Sequence, residues 1–175
     1  DAMLAAFDSG KADAVFNHVS ITDERKKKYE FSEPYTVTYG TIIVKKDNNS
    51  IKSFNDLKGK KNADSATSNW AKVAVSYGAQ NVTVDSFAKS MELLIAGRVD
   101  TVIRTNVVFY DFLKERPNAP VKIAATGTDK DYAGVAIQKG NTELKEQINK
   151  ALDELSKEGK LKEISLKYFG IDVSK

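Results

Sequence analysis

The chain has 175 residues, of which 41% are hydrophobic and 29% charged, a composition typical of one folded domain or two small lobes rather than of a disordered chain. The formal net charge is only +3 and the lysines are interspersed with acidic residues, which argues against a nucleic-acid-binding protein. There is no cysteine, which excludes disulfides, thiol nucleophiles and cysteine-ligated metals and is compatible with folding in an oxidising compartment.

Capping residues, glycines and apolar periodicity predict alternating helices and strands. In chain order, the predicted elements are a helix over 2–9, a strand over 12–19, a polar turn over 20–25 that enters one helical turn, a strand over 37–44, a short helix over 53–59, a strand over 62–65, a helix over 69–77, a strand over 82–84, a helix-glycine-strand unit over 87–103, a helix over 107–114, strands over 121–125 and 133–138, and helices over 142–157 and 161–168.

Two segments, 4–17 and 91–104, share one local design: a helix end, a glycine, an aspartate three residues later and a short apolar strand. Gly10 and Gly97 are expected to end their helices with a positive φ, and each following run is short and apolar enough for a buried parallel strand. Because ligands bind outside the carboxyl ends of parallel strands, two such units suggest a two-lobed binding protein. Coincidence is the alternative, since such junctions occur in every α/β protein.

We therefore predict an α/β chain of two lobes, each a mostly parallel sheet flanked by helices, joined by a two-strand hinge. Lobe one is expected to comprise residues 1–44 and 133–175, and lobe two residues 45–132. The second copy of the repeat is preceded by a strand, a helix and a strand over 62–84, whereas nothing precedes the first copy. We expect the equivalent segment before Asp1 to be supplied by another chain, by a fusion or insertion partner, or to have been removed.

Catalytic and metal-binding signals are weak. His18 is the only histidine and has no cysteine or HxxxH partner, so a zinc site is not predicted. There is no nucleophile elbow, phosphate-binding loop or dinucleotide-binding glycine motif, which argues against hydrolases and nucleotide-binding proteins. We expect no cofactor and no enzymatic activity.

Ligand-binding chemistry is better represented. Asn17, His18 and Ser20 end the first predicted strand, and Arg25 follows one turn later with a planar guanidinium that a carboxylate can bind in a bidentate manner. Thr67 and Ser68 lie between a strand and a helix, where hydroxyls and free N–H groups can bind an anion. Alternatively, the serines only cap helices and Arg25 faces solvent.

The segment VSITDERKKKYEFSEPY (19–35) resembles the first-lobe signature of the solute-binding proteins, family 3, that deliver polar amino acids to ABC importers. SATSNWAKVAVSYGA (65–79) and VDSFAKSMELLIAGRVD (84–100) resemble the cystine-binding branch, and KGN (139–141) and the C-terminal LKEISLKYFGIDVSK also fit. The resemblance covers the whole chain. It implies a type II periplasmic-binding-protein-like fold whose lobes close on a ligand, and an extracytoplasmic location, in the periplasm or lipid-anchored at the cell surface.

The resemblance also implies residue roles. Arg25 would bind the α-carboxylate of the ligand, with help from Ser20 and from Ser68, while Asn17 and His18 would line the pocket. The implied partners are a small molecule with a carboxylate or other anionic group and the membrane subunits of an ABC transporter. Family members carry a further strand-helix-strand segment before the position of Asp1, including an aromatic residue of the pocket.

The sequence departs from the family at the pocket. The family has an aspartate for the ligand ammonium where Thr105 stands, and a small polar residue at Arg104. Asp64 and Ala66 are also unusual, as is Asn62 at an apolar strand position. Losing a charge-assisted hydrogen bond costs about 1.5–3 kcal/mol, so ordinary amino acids are expected to bind poorly unless Asp64 or the preceding segment compensates. This favours a ligand with an anionic group for Arg25 and no ammonium that needs Thr105, as in a divergent or engineered pocket.

Two other functions stay open from the sequence. The same architecture is reused by dehydratase-like enzymes that lost the amino-acid site, although this chain has no evident general acid. The chain could also be an incomplete scaffold fragment that binds nothing.

Overall fold

The structure is a computed structural model and describes residues 2–175. The chain divides into two compact units: a central unit, Tyr39–Lys130, and a terminal unit, formed by residues 2–38 together with Asp131–Lys175. The chain enters the central unit within one long strand, Thr36–Lys45, and leaves it within another, Val121–Ile137.

The helices and strands alternate along most of the chain. The α-helices of residues 2–175 are α1 (Ala2–Asp8), α2 (Asp23–Lys28), α3 (Asn69–Ser76), α4 (Phe87–Ile95), α5 (Asn106–Glu115), α6 (Thr142–Lys157) and α7 (Lys160–Phe169), with a 3-10 helix at Phe54–Leu57. The strands are β1 (Ala14–Ser20), β2 (Glu30–Phe31), β3 (Thr36–Lys45), β4 (Lys61–Asp64), β5 (Gln80–Thr83), β6 (Val102–Thr105) and β7 (Val121–Ile137).

In the terminal unit, β1 and β2 both pair antiparallel with the C-terminal half of β7. Ser20 lies opposite Ala133, which fixes the end of β1 against β7. The register of β1 shifts between Val15 and Val19, and His18 within that stretch has a φ of 46°. Six of its buried side chains form a hydrophobic cluster, which comprises Phe7, Val15, Val19, Tyr29, Phe31 and Ala136.

In the central unit, β3 pairs antiparallel with β6, and β4 pairs in parallel with β5. Asn62 and Thr101 form a further parallel bridge. The expected parallel pairing is therefore found around β4, whereas the pairs that β1 makes with β7 and β6 with β3 are antiparallel. Two hydrophobic clusters fill this unit, one around Met91 and Leu94 and the other around Ile42 and Leu57.

The two helix-glycine junctions of the repeat have the same geometry, as predicted. Gly10 and Gly97 have φ values of 72° and 69°. The Gly10 N–H donates to the Phe7 carbonyl and the Lys11 N–H to the Ala6 carbonyl; the Gly97 N–H and the Arg98 N–H donate to the carbonyls of Leu94 and Leu93 in the same way. This is the Schellman pattern, in which a left-handed residue lets two N–H groups bond to the last carbonyls of the helix.

Three predicted elements, two strands and one helix, differ from the structure in two ways. The strands predicted over 121–125 and 133–138 are one strand, β7, because the polar stretch between them remains extended; the Ile21 N–H donates to the Tyr132 carbonyl at 2.8 Å. The helix predicted over 53–59 is a single 3-10 turn, which Asp56 closes by accepting the Ser53 N–H at 2.9 Å. Both differences depend on contacts that hydrophobic periodicity does not encode.

Candidate functional site

Arg25 is held at the start of α2 by contacts within the terminal unit. The Thr22 side chain caps α2 by accepting the Arg25 N–H at 3.2 Å, and the Arg25 Nη1 donates to the Ser20 carbonyl at 3.0 Å. Ser20 is buried and Arg25 half-buried. Burial lowers the pKa of the guanidinium, while the negative charge of Asp131 opposes that shift. The arginine is therefore a fixed cation that retains donors for a carboxylate.

Asp131, at the point where β7 enters the terminal unit, is not among the site residues predicted from the sequence. Its Oδ2 accepts the Ser20 hydroxyl at 3.0 Å and the Thr38 hydroxyl at 3.4 Å. Burial raises the pKa of this carboxyl, whereas the two hydroxyls and the positive charges of Arg25 and His18 lower it. We call Ser20, Arg25, Thr38 and Asp131 the terminal cluster.

His18 and Asn17 have other partners than the terminal cluster. The His18 N–H donates to the Tyr35 hydroxyl at 3.0 Å, and the Thr36 hydroxyl lies 3.4 Å from Nδ1. Although His18 as a residue is exposed, its ring packs edge-on against Tyr35 and Phe169, each at a centroid distance of 5.7 Å, and this desolvation lowers the imidazole pKa. Asn17 is exposed, with its Nδ2 3.2 Å from the Met3 sulfur.

A second polar group, which we call the central cluster, consists of Asp64, Ser68 and Arg104. The Arg104 Nη1 forms a short ion pair with the Asp64 Oδ2 and lies 3.2 Å from the Ser68 oxygen, which also donates to Asp64 at 2.8 Å. The Asp64 side chain is fully buried and that of Arg104 is 16% exposed, with its guanidinium carbon 5.6 Å from the Phe87 ring centroid.

The central cluster gives partners to two of the predicted site residues, Arg104 and Asp64. The sequence puts the cation Arg104 next to Thr105, where the resembled family has a small polar residue, and in the structure the charge of Arg104 is balanced by Asp64. Asp64 is the expected substitute anion for a ligand ammonium. In the structure its carboxylate accepts hydrogen bonds from the Ser68 hydroxyl, from the Arg104 guanidinium and, at 2.6 Å, from the Ser65 N–H. The anion held next to the start of α3 is thus the protein's own carboxylate.

The remaining predicted residues flank the central cluster. Ala66 and Thr67 are exposed in the loop before α3, and Ser68 caps that helix by accepting the Trp70 N–H at 3.2 Å. Thr105 is the N-cap of α5, makes no side-chain capping bond and lies opposite Gly40 in the β3–β6 pair. The Trp70 ring fills the space beside Gly40, where a Cβ would clash.

Asn62 belongs to a buried polar network rather than to a binding surface. Its Nδ2 donates to the Asn81 Oδ1 at 2.9 Å, and its Oδ1 accepts the Thr101 hydroxyl at 3.3 Å. Asn81 in turn donates to the Asp64 carbonyl at 3.2 Å. A polar residue at this strand position is therefore satisfied by hydrogen bonds and supports the backbone that carries Asp64.

Each unit thus unites only some of the predicted residues: Ser20 and Arg25 in the terminal unit, and Asp64, Ser68 and Arg104 in the central unit.

Within residues 2–175, no group of three histidine, aspartate or glutamate side chains is placed to hold a metal ion. Over the same residues, no helix has the length and apolar character needed to cross a membrane.

Comparisons with known proteins agree with this fold. The chain is 41% identical over 174 residues to a probable amino-acid ABC transporter-binding protein of Haemophilus influenzae, covering 99% of this chain and 68% of that protein. It is 41% identical over 175 residues to the L-cystine-binding protein TcyA of Bacillus subtilis, covering 100% of this chain and 65% of that protein. The chain therefore spans about two thirds of the length of these relatives.

A solved structure gives the same result for the fold. An ancestral arginine-binding protein bound to arginine superposes with a TM-score of 0.87 at 42% identity, covering 97% of this chain and 77% of that one. Residues 1–171 match the model of the bacterial extracellular solute-binding proteins, family 3. The α/β fold is thus that of the type II periplasmic binding proteins, and the chain belongs to the family 3 bacterial extracellular solute-binding proteins.

Proposed function

We propose that this chain binds a small polar ligand of amino-acid type through the ligand's carboxylate, which Arg25 holds, and that it serves an ABC importer as the extracytoplasmic recognition component. The observation that carries the proposal is the fixation of the Arg25 guanidinium by the Ser20 carbonyl at 3.0 Å. A guanidinium whose orientation is already set loses little conformational freedom when it binds a carboxylate.

The family and the names of the relatives support this proposal, since those proteins are described as binding amino acids, cystine or arginine. The proposed location is the periplasm, or the cell surface with a lipid anchor, and the proposed partners are the membrane subunits of the importer. We propose a binding role without catalysis.

Isothermal titration calorimetry of the chain with L-arginine and L-cystine tests the proposal. Arg25→Met should weaken binding about 10- to 100-fold, because it removes a charge-assisted hydrogen-bond pair. The affinity of Arg25→Lys should lie between those of the wild type and Arg25→Met, since lysine keeps the positive charge but not the planar guanidinium. Arg98→Met, at an exposed arginine of the central unit, is the matched control. Equal affinities for wild type and Arg25→Met, or a wild type that binds neither amino acid, would refute the proposal.

A further inference from the structure

The terminal cluster holds an anion as well as a cation. Ser20 contacts both: its carbonyl accepts from Arg25 at 3.0 Å and its hydroxyl donates to Asp131 at 3.0 Å. One buried residue therefore sets the position of two opposite charges. Neither charge takes part in an ion pair with another side chain among those described for residues 2–175, so the two groups do not neutralise each other by direct contact.

The carboxylate of Asp131 is only partly satisfied by the protein. The hydrogen bonds that reach it, from the hydroxyls of Ser20 and Thr38, both end on Oδ2. An ionised carboxylate can accept about four hydrogen bonds on its two oxygens. A half-buried carboxylate that can still accept hydrogen bonds is suited to a cationic donor, because the positive charge of the donor offsets the free-energy cost of desolvating the carboxylate.

The position of Asp131 follows from the β1–β7 register. Ser20 pairs with Ala133, and Asp131 lies two residues away on β7, so its side chain is on the same face as that of Ala133. The Ile21 N–H bond to the Tyr132 carbonyl holds the intervening backbone. Arg25 and Asp131 are thus oriented from two different elements, α2 and β7, onto the end of β1.

We propose that Asp131 binds the α-ammonium of a zwitterionic amino acid whose α-carboxylate is bound by Arg25. This inference rests on the proposed function and deepens it, because it assigns a residue of this chain, Asp131, to the ammonium of the ligand. Asp131 provides the carboxylate for the ligand ammonium that Thr105 cannot provide. Asp64 is not needed for this role, since its carboxylate is bonded to Arg104 and Ser68 within the central cluster. Charged groups that face Asp131 are Arg25 and His18, and its neutral donors are Ser20 and Thr38.

The test compares amino acids with analogues that lack only the α-ammonium groups: L-arginine with 5-guanidinopentanoic acid, and L-cystine with 3,3′-dithiodipropionic acid. Calorimetry of the wild type should give a preference of at least about 10-fold for the amino acid in at least one pair. Asp131→Asn should reduce that preference to less than about 3-fold, with little change for the analogue. Asp129→Asn, at an exposed aspartate of the same strand, changes the net charge equally and should leave the preference intact.

Several outcomes would overturn the inference. A wild type that binds an analogue as tightly as its amino acid refutes it without any variant, so an unfolded Asp131→Asn would not block the test. Equal loss of arginine and of 5-guanidinopentanoic acid in Asp131→Asn would assign Asp131 to the side-chain guanidinium instead. In both cases the proposed function stands, because a carboxylate ligand is still bound. A wild type that binds none of the four compounds overturns both proposals.

Discussion

Asp64 and Arg104 bring two opposite charges into a mostly buried position, where desolvation opposes their attraction. The pair is compensated by further contacts, since Ser68 and the Ser65 N–H also bond to the carboxylate. For such a pair, removing one partner is costly because the other charge stays buried. Replacing both partners with apolar groups is often close to neutral.

This asymmetry predicts a non-additive double-mutant cycle. Asp64→Ala and Arg104→Met should each lower the free energy of unfolding by about 3 kcal/mol, the low end for buried pairs because Arg104 is 16% exposed. The double variant should be less destabilised than the sum by at least about 1 kcal/mol. Urea denaturation at one fixed pH and salt concentration measures all four proteins.

An exposed pair provides the control. Lys89 and Glu92 are both about half-exposed, and truncating either should change stability by about 0–1 kcal/mol. If the Asp64 and Arg104 variants behave additively, or no worse than those of the exposed pair, the charges do not depend on each other as the structure implies.

His18 adds a pH dependence. Its pKa is lower in the folded protein than the ordinary value of 6.5, because its ring is desolvated by Tyr35 and Phe169. Between the folded pKa and 6.5 the unfolded chain binds more protons, so this residue makes stability fall as the pH drops through that window. His18→Asn, which tolerates the positive φ, should remove that part of the loss between pH 7.5 and pH 5.

The measurement is the difference in unfolding free energy between wild type and His18→Asn across this pH range. The other carboxyls titrate in both proteins, whereas Asp131 and His18 interact through their charges, so the measured difference includes that interaction. Two parallel stability profiles would contradict the assignment, as would a wild type that loses less stability than the variant on acidification.

At the scale of elements, the left-handed glycines that end α1 and α4 give a third prediction. Nothing crowds Gly97, so Gly97→Ala meets only the cost of a left-handed conformation for an L-residue. We expect a loss of about 1 kcal/mol in stability, by urea denaturation. Gly97→Asn should cost less, because asparagine adopts this conformation more readily. Equal stability of Gly97→Ala and wild type would show that the junction does not need a positive φ.

These junctions also explain which elements the sequence could predict. Gly10, Gly97 and the caps Thr22 and Ser68 act within one turn of the chain, so local residue types report them. The continuity of β7 depends on pairing with residues far along the chain, and polar residues between its ends resemble a loop. Asp131 was missed for the same reason, since its partner Ser20 is 111 positions away.

The candidate site residues show the same limit of prediction from local sequence. The sequence placed Ser20 and Arg25 near each other because a capped helical turn separates them by only five positions. It could not predict that Arg104 binds Asp64, because that pairing requires β4 and β6 to lie side by side. Charge balance between distant residues is a property of the folded unit and not of any sequence window.

At the scale of the whole molecule, each hydrophobic cluster lies within one unit. Among residues 2–175, the two clusters named above in the central unit have nine and seven buried members, whereas the one named in the terminal unit has six. Stability within a protein follows local burial and packing, and regions with fewer buried apolar contacts open at lower free energy. The central unit should therefore be the more stable of the two.

Hydrogen exchange followed by mass spectrometry tests this expectation. Protected amides of β1 and of residues 133–137 should exchange at least about 10-fold faster than those of residues 42–44 and 102–103, because opening of the terminal unit does not require loss of the larger clusters. Saturating L-arginine, if bound at the terminal cluster, should slow exchange first in the terminal unit, since binding to the folded state stabilises it by mass action.

Leu94→Ala, which truncates a fully buried side chain, should weaken the central unit by about 2–5 kcal/mol and reverse the order of exchange between the two units. Leu155→Ala, at an exposed leucine of α6, should not reverse that order. Identical exchange in both units, unchanged by Leu94→Ala, would instead mean that the chain unfolds only as a whole.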